Sequence, residues 1–314
     1  MVQVDLITGF LGAGKTTFLR RYVRYLVAQG HNVCILENDF GAVNVDAMLV
    51  QDLLGPNCDL ETISGGCDCD THQRRMRTKL IAMAMRGFDR VVVEPSGIFD
   101  VDEFFDVLRD DPLDRWYHIG NVIAIVDAML PETLSPQAEY VLASETANAG
   151  RVLVSRTQLA GQQQTAAAVA HLTRALEGCK CSRRFAPEEI LTKDWAQLTG
   201  ADLAALASCG YRQASCEKLH FDEHEAFSSL CFLEQHLTLQ QLQAAADHLF
   251  ADAACGHVLR VKGFAPDPQG TTGWLELNAT AAGRTLEPIP QGQDVLIVIG
   301  EGLDKAAIEA RLKA

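Results

Sequence analysis

The chain has 314 residues, 48% hydrophobic and 22% charged, which is the composition of an ordinary folded protein with length enough for two hydrophobic cores. Its formal charge of -14 argues against a nucleic-acid partner, because counterion release needs clustered Lys and Arg, and no segment approaches the roughly 20 apolar residues of a membrane span. The opening MVQVDLITGF carries neither a basic n-region nor a cleavage site, and ten scattered cysteines read as mostly buried thiols in a reducing compartment, so a cytoplasmic protein with no membrane partner is expected.

The apolar run Val2 to Ile7 predicts a first strand, and GFLGAGKTT, residues 9–17, follows it directly. This stretch satisfies G-x-x-x-x-G-K-[ST] and runs into TTFLRRYVRYL, which has helical spacing, so strand, phosphate loop and helix stand in the required order. Glycines let backbone amides turn onto phosphates, the helix N-terminus adds its positive dipole end, Lys15 reaches the terminal phosphates, and the Thr16 hydroxyl suits Mg²⁺. The nucleotide-binding candidates here are Gly9, Gly12, Ala13, Gly14, Lys15, Thr16 and Thr17.

Further strands are predicted at HNVCILEN (31–38), FDRVVVEPSG (88–97), NVIAIVDAM (121–129) and RVLVS (151–155), with helical stretches between them. The alternation predicts an α/β domain, a doubly wound and mostly parallel P-loop sheet. Ligands gather at the carboxyl ends of such strands, where Glu37, Asp39, Glu94 and Gly97 fall. Glu94 closes a buried run and is the second Mg²⁺ candidate beside Thr16, while a capping role for a loop is the plainer alternative.

Between the second and third of these strands stands SGGCDCDTH, residues 64–72, with two thiols, two carboxylates and an imidazole behind a pair of glycines. Thiolate draws a site towards zinc and softer ions, and carboxylate broadens it towards harder ones.

Taken together, these residues resemble the CobW-type P-loop GTPases of the SIMIBI class, metal chaperones and metalloenzyme assembly factors. The landmarks, in order, are ITGFLGAGKTT; ILENDFGAVNVDAML, where the family has E-N-E-F-G; GGCDCDT, where it has G-G-C-x-C-C-T; VVVEPSGIFD; and the C-terminal stretches VLRVKGF and VLIVIGEGLDKAAIEARL. The resemblance implies bound GTP or GDP with Mg²⁺, ATP remaining open. It also implies in-line attack of water on the γ-phosphate, with Lys15, Glu37, Asp39 and Glu94 as the catalytic candidates.

Three departures stand out. Where the family reads guanine with Asn-Lys-x-Asp, this chain has Ser155, Arg156, Thr157 and Gln158, and a Gln amide cannot accept the two hydrogen bonds that an Asp carboxylate can. Ser155, Arg156 and Gln158 are still the base-side candidates, with Arg156 able to stack over the base. The family's third cysteine is Asp70, and the glutamate usual after F-G is Ala42. By resemblance, Cys67, Cys69 and Asp70 would offer two sulfurs and one oxygen to Zn²⁺ or another transition metal, completed by Glu37, Asp39 or His72. The alternative is a nucleotide switch loop that carries no cargo.

The expected organisation is a nucleotide-binding domain over 1–200, a linker over 201–225 and a smaller α+β domain over 226–314. In the last, strands are expected around 228–233, 256–263, 272–279 and 294–299, with helices over 238–251 and 303–313, and Trp274 filling the core. LHFDEHEAF (219–227), with His220 and His224, reads as a solvated connection sooner than a metal-handling tract, and the Cys179–Cys181 pair reads as structural. The functional expectation is a GTP-hydrolysing metallochaperone, or an assembly factor for a metalloprotein or corrinoid-dependent client. A non-hydrolysing scaffold that keeps its phosphate loop is the alternative.

Overall fold

A computed structural model describes residues 1–39, 49–64, 69–95, 101–214, 216–217, 227–270, 273–289 and 291–312. The chain divides after Leu219 into a larger and a smaller compact unit.

The larger unit alternates strand and helix: β1 (Val2–Thr8), α1 (Lys15–Ala28), β2 (Val33–Asp39), β3 (Cys58–Ser64), α2 (Cys69–Ala84), β4 (Arg90–Pro95), α3 (Val101–Arg109), α4 (Leu113–Trp116), β5 (Tyr117–Asp127), α5 (Pro136–Ala147), β6 (Arg151–Ser155), α6 (Thr157–Gly178), β7 (Ile190–Leu191) and α7 (Gly200–Leu206). The seven strands pair in parallel in the order β3-β2-β4-β1-β5-β6-β7. Strands buried on both faces read as continuous apolar runs, as Val91 to Val93 and Val122 to Val126 do. α1 follows because Phe18, Leu19, Tyr22, Val23 and Leu26 form one apolar face, packed on Ile7, Ile35, Val92 and Ile123. α5 begins where Ser135 accepts the Ala138 amide at 3.1 Å, with Pro136 at its first position.

The predicted strands are present, and two more flank them. β3 escapes an apolar-run reading because Asp59 and Glu61 interrupt it; Lys79 of α2 and Arg86 in the turn after it answer those carboxylates, with Lys79 2.6 Å from Glu61. β7 has only two residues.

Below the loop end of the sheet lies a buried polar knot. Asp5, fully buried on β1, accepts from Arg90 at 2.8 Å, from the Tyr22 hydroxyl at 2.8 Å and from the Asn121 amide and side chain at 2.9 Å each. It ties β1, β4, β5 and α1 together with every bond directed.

The smaller unit is an antiparallel sheet in the order β11-β10-β9-β12-β8, built from β8 (Ser228–Leu233), β9 (His257–Pro266), β10 (Trp274–Thr280), β11 (Gly283–Ile289) and β12 (Val295–Glu301), with α8 (Leu239–Ala251) and α9 (Lys305–Leu312). A capping box starts α8: the Thr238 hydroxyl accepts the Gln241 amide at 3.3 Å, and the Gln241 side chain accepts the Thr238 amide at 3.0 Å. Leu242, Ala246 and Leu249 of this helix meet Val261, Leu277 and Leu296 in a second core. β11 is an addition to the expected strands, and Trp274 is only half-buried, so it is not the core residue predicted.

Candidate functional site

β1 ends at Thr8, and the chain turns sharply over the end of β5. Gly9 has φ 137°, and a Cβ there would meet the Ile125 carbonyl oxygen at 2.3 Å, so no other residue fits. Gly12 and Gly14 also take positive φ, 75° and 103°, and Ala13 is buried. The Ala13 amide donates to the Phe10 carbonyl at 3.1 Å, which closes the loop on itself. α1 then starts at Lys15, with Thr16 half-buried and Thr17 exposed. Lys15 is 7% exposed and folds back so that Nζ donates to the Gly9 carbonyl at 2.8 Å. Its ammonium is thereby held inside the loop that it encloses.

Glu94, at the end of β4, accepts from the Thr16 hydroxyl at 2.8 Å. Glu37, 2% exposed, is its register partner on β2, so two buried carboxylates stand on neighbouring strands and on the same side of the sheet. Two carboxylates on adjacent strands favour a cation that both can accept. A hydroxyl and hard carboxylate oxygens at the foot of a phosphate loop form the donor set that Mg²⁺ favours. The residues present therefore fit that ion.

On the other side of the loop, β6 ends in Ser155, 2% exposed, which is the register partner of Asp127 on β5. Arg156 follows in the left-handed region at φ 55°. Its guanidinium pairs with Asp127 and donates to the Gly12 carbonyl at 3.0 Å, so its charge is committed to the protein. Burial pushes the Asp127 carboxyl up, and the Arg156 guanidinium and the Met129 amide pull it partly back. Gln158 is exposed in the first turn of α6.

Three residues at this site have no place in the sequence motifs. Glu145 on α5, 1% exposed, accepts the Gly9 amide at 2.9 Å, while its backbone carbonyl accepts the Thr8 hydroxyl at 2.6 Å. Asp127 anchors Arg156. Trp195 lies edge-on to Phe18 with ring centroids 5.7 Å apart, and a Cβ on Gly14 would touch its ring at 3.4 Å and Ser155 at 3.9 Å. Its indole N–H is buried without a hydrogen-bond partner among the described residues. The available signal was a second strand ending in a carboxylate, as at Glu94.

The structure thus brings together the loop residues, Glu37, Glu94, Ser155 and Arg156. Gly97 and Cys67 lie outside the described residues, as do Ala42, His220 and His224 and the side chains of Asp39, Cys69, Asp70 and His72.

A family model described as CobW/HypB/UreG, nucleotide-binding domain, matches residues 3–182. The zinc chaperone YjiA of Escherichia coli is 31% identical over 173 residues, 52% of each sequence. The zinc chaperone CobW of Pseudomonas aeruginosa is 30% identical over 137 residues, 40% of this chain and 36% of that one. The chain thus spans about half the length, or less, of these curated relatives. Among solved structures, Zn(II)-bound YjiA GTPase from E. coli aligns over 99% of this chain and 98% of its own, at 22% identity and a TM-score of 0.39.

Proposed function

Because the chain belongs to the CobW/HypB/UreG family, we propose that it is a GTP-binding and GTP-hydrolysing metallochaperone whose cargo is Zn²⁺ and whose partner is a client metalloprotein. The observation that carries this reading is the Thr16–Glu94 hydrogen bond beside Glu37, a hard-oxygen cluster set against a phosphate loop. The zinc-chaperone relatives support the cargo.

Thr16 and Glu94 would hold Mg²⁺, which supplies charge neutralisation at the terminal phosphates. Lys15 exchanges the Gly9 carbonyl for a γ-phosphate oxygen, trading a neutral acceptor for an anionic one as charge develops. Glu37 and Asp39 are the candidates to orient the water that attacks in line. Phosphate-state changes at Glu37 and Asp39 would reach Cys67, Cys69, Asp70 and His72 through β3, the register partner of β2.

The base side is this chain's own. With Gln158 in place of the usual Asp, discrimination of GTP from ATP should fall below the ~10⁴-fold that a site built on paired hydrogen bonds reaches. Trp195 is our candidate for a compensating contact, since an N–H donor suits the O6 acceptor of guanine and opposes the 6-amino group of adenine. Competition binding with both nucleotides checks this: Trp195→Phe should narrow the preference further, and a Trp195→Phe variant that stays as selective for GTP as the wild type would show that another segment reads the base.

The cargo is tested by titrating Zn²⁺ against a chromogenic chelator with each nucleotide bound. Cys67→Ser and Cys69→Ser should each weaken binding at least ~10-fold, an alcohol being a far poorer ligand than a thiolate. Asp70→Cys should strengthen it. The diphosphate and triphosphate forms should differ by ~5- to 150-fold, since only unequal affinities allow release. Equal, weak binding by wild type and the double serine variant would favour the second reading, a non-hydrolysing scaffold. The altered tetrad and the Arg156–Asp127 pairing are the features that favour it.

A further inference from the structure

Cysteines 179 and 181 close α6, and the chain that returns to them is the stretch before the end of the larger unit. The Glu217 amide donates to the Cys179 carbonyl at 2.9 Å, and Lys180 pairs with Glu217 at 2.6 Å. Upstream, the Arg212 and Ala214 amides donate to the backbone and side chain of Asn148, each at 3.1 Å. This stretch is therefore bonded on both sides of Cys216, and it delivers the Cys216 thiol to Cys181. The two thiols share a hydrogen bond in which Cys216 donates and the Cys181 sulfur accepts. That sulfur also accepts the Arg183 amide. Cys181 is 3% exposed and Cys216 half-buried, so the pair is reached from the Cys216 side.

The local charge is asymmetric. The hydrogen bond from Cys216, the Arg183 amide and the Arg183 and Arg184 guanidinium groups hold the Cys181 thiol below its usual range, against the opposing effect of burial. Cys216 is pushed up, first by donating to Cys181 and then by burial, with the charges of Cys179 and Asp102 adding to it. One thiolate is thus favoured and its neighbour keeps the proton, which is the division of labour between an attacking and a resolving cysteine. By contrast, burial pushes Cys34 up to about 12 and Cys58 up to about 11. Among the described residues no group of three or more His, Cys, Asp and Glu is arranged to hold a metal ion.

We propose that Cys181 and Cys216 form a redox dithiol that closes to a disulfide under hydrogen peroxide, Cys181 attacking and Cys216 resolving. The Cys181 thiolate attacks one peroxide oxygen; the O–O bond breaks, leaving sulfenic acid on Cys181 and releasing hydroxide. The Cys216 sulfur then attacks the Cys181 sulfur, the S–S bond forms, and the hydroxyl leaves with the Cys216 proton as water. The two sulfurs together lose two electrons to the peroxide. The product replaces a hydrogen bond with a covalent link between the end of α6 and the chain just before Leu219, and a thiol reductant reverses it. This inference is independent of the nucleotide and metal readings.

The full chain, treated with a small molar excess of peroxide and then alkylated, should lose two alkylation sites, with one linked peptide joining Cys181 to Cys216 that dithiothreitol removes. Its formation should outpace oxidation of Cys34 and Cys58 by at least ~10-fold. Cys216→Ser should abolish the link and leave a sulfenic acid on Cys181 that dimedone traps. Cys181→Ser should leave Cys216 unreactive. Links mapping to other cysteines, or Cys181 passing to sulfinic acid in the wild type with Cys216 still free, would overturn the assignment. Should Cys181→Ser fail to fold, the wild-type peptide map and the half-buried Cys216→Ser variant decide the matter alone.

Discussion

Lys15→Ala is expected to lower GTP affinity by at least ~100-fold while the protein stays folded. Charge-assisted hydrogen bonds contribute ~1.5–3 kcal/mol each, and Lys15 is the cation enclosed by the loop, so losing its contacts to the terminal phosphates removes several at once. In the free protein the variant gives up the bond to the Gly9 carbonyl, a cost of about 1 kcal/mol. Titration with a fluorescent GTP analogue, alongside a calorimetric scan, separates the two effects. Unchanged affinity would sink the phosphate-loop assignment, whereas a collapsed melting transition would mean that Lys15 is a structural residue of the loop.

The second large effect is on stability and lies away from the site. Arg90→Met should destabilise the larger unit by ~3–5 kcal/mol, because it removes the cation opposite a carboxylate that is 0% exposed. Tyr22, Asn121 and Gln3 would still donate to Asp5, but none of them carries charge. Asp5→Asn in the Arg90→Met background should recover part of the loss, since a neutral side chain in that pocket no longer needs a counter-ion. Urea unfolding of the wild type, both single variants and the double variant measures the coupling. Strict additivity would show that the ion pair contributes nothing beyond its separate members.

What the sequence made legible is what local rules govern. Glycine spacing between a largely apolar strand and an amphipathic helix gave the phosphate loop and, with it, β1 despite Gln3 and Asp5, and apolar runs gave β2, β4, β5 and β6. β3 stayed hidden among Asp59 and Glu61 because its charges are neutralised by Lys79 of α2 and by Arg86 just beyond it, partners that no window on β3 contains. β11 was missed for a related reason: as an edge strand carrying Arg284, Glu287 and Pro288 it buries only Ile289, so no apolar run marks it. At the site, Lys15, Thr16 and Glu94 could be named from their motifs. Asp127, Glu145 and Trp195 could not, since each earns its place through a contact with a residue remote in the chain. Cys179 and Cys181 looked inert for the same reason, with Cys216 arriving only through tertiary structure.

The Glu145 clamp alters how a phosphate would be received. A loop of this kind is usually pictured as a continuous row of N–H groups facing the anion, but here the Gly9 amide already serves a buried carboxylate and the Ala13 amide serves the Phe10 carbonyl. The row therefore begins later than the motif, and an arriving phosphate would have to break the Ala13 turn to recruit that donor. Occupancy is then a rearrangement of the loop as well as an act of binding. Its cost is set partly by a helix, α5, that carries none of the motif's residues, so changes on that helix could retune nucleotide residence time without touching the loop itself.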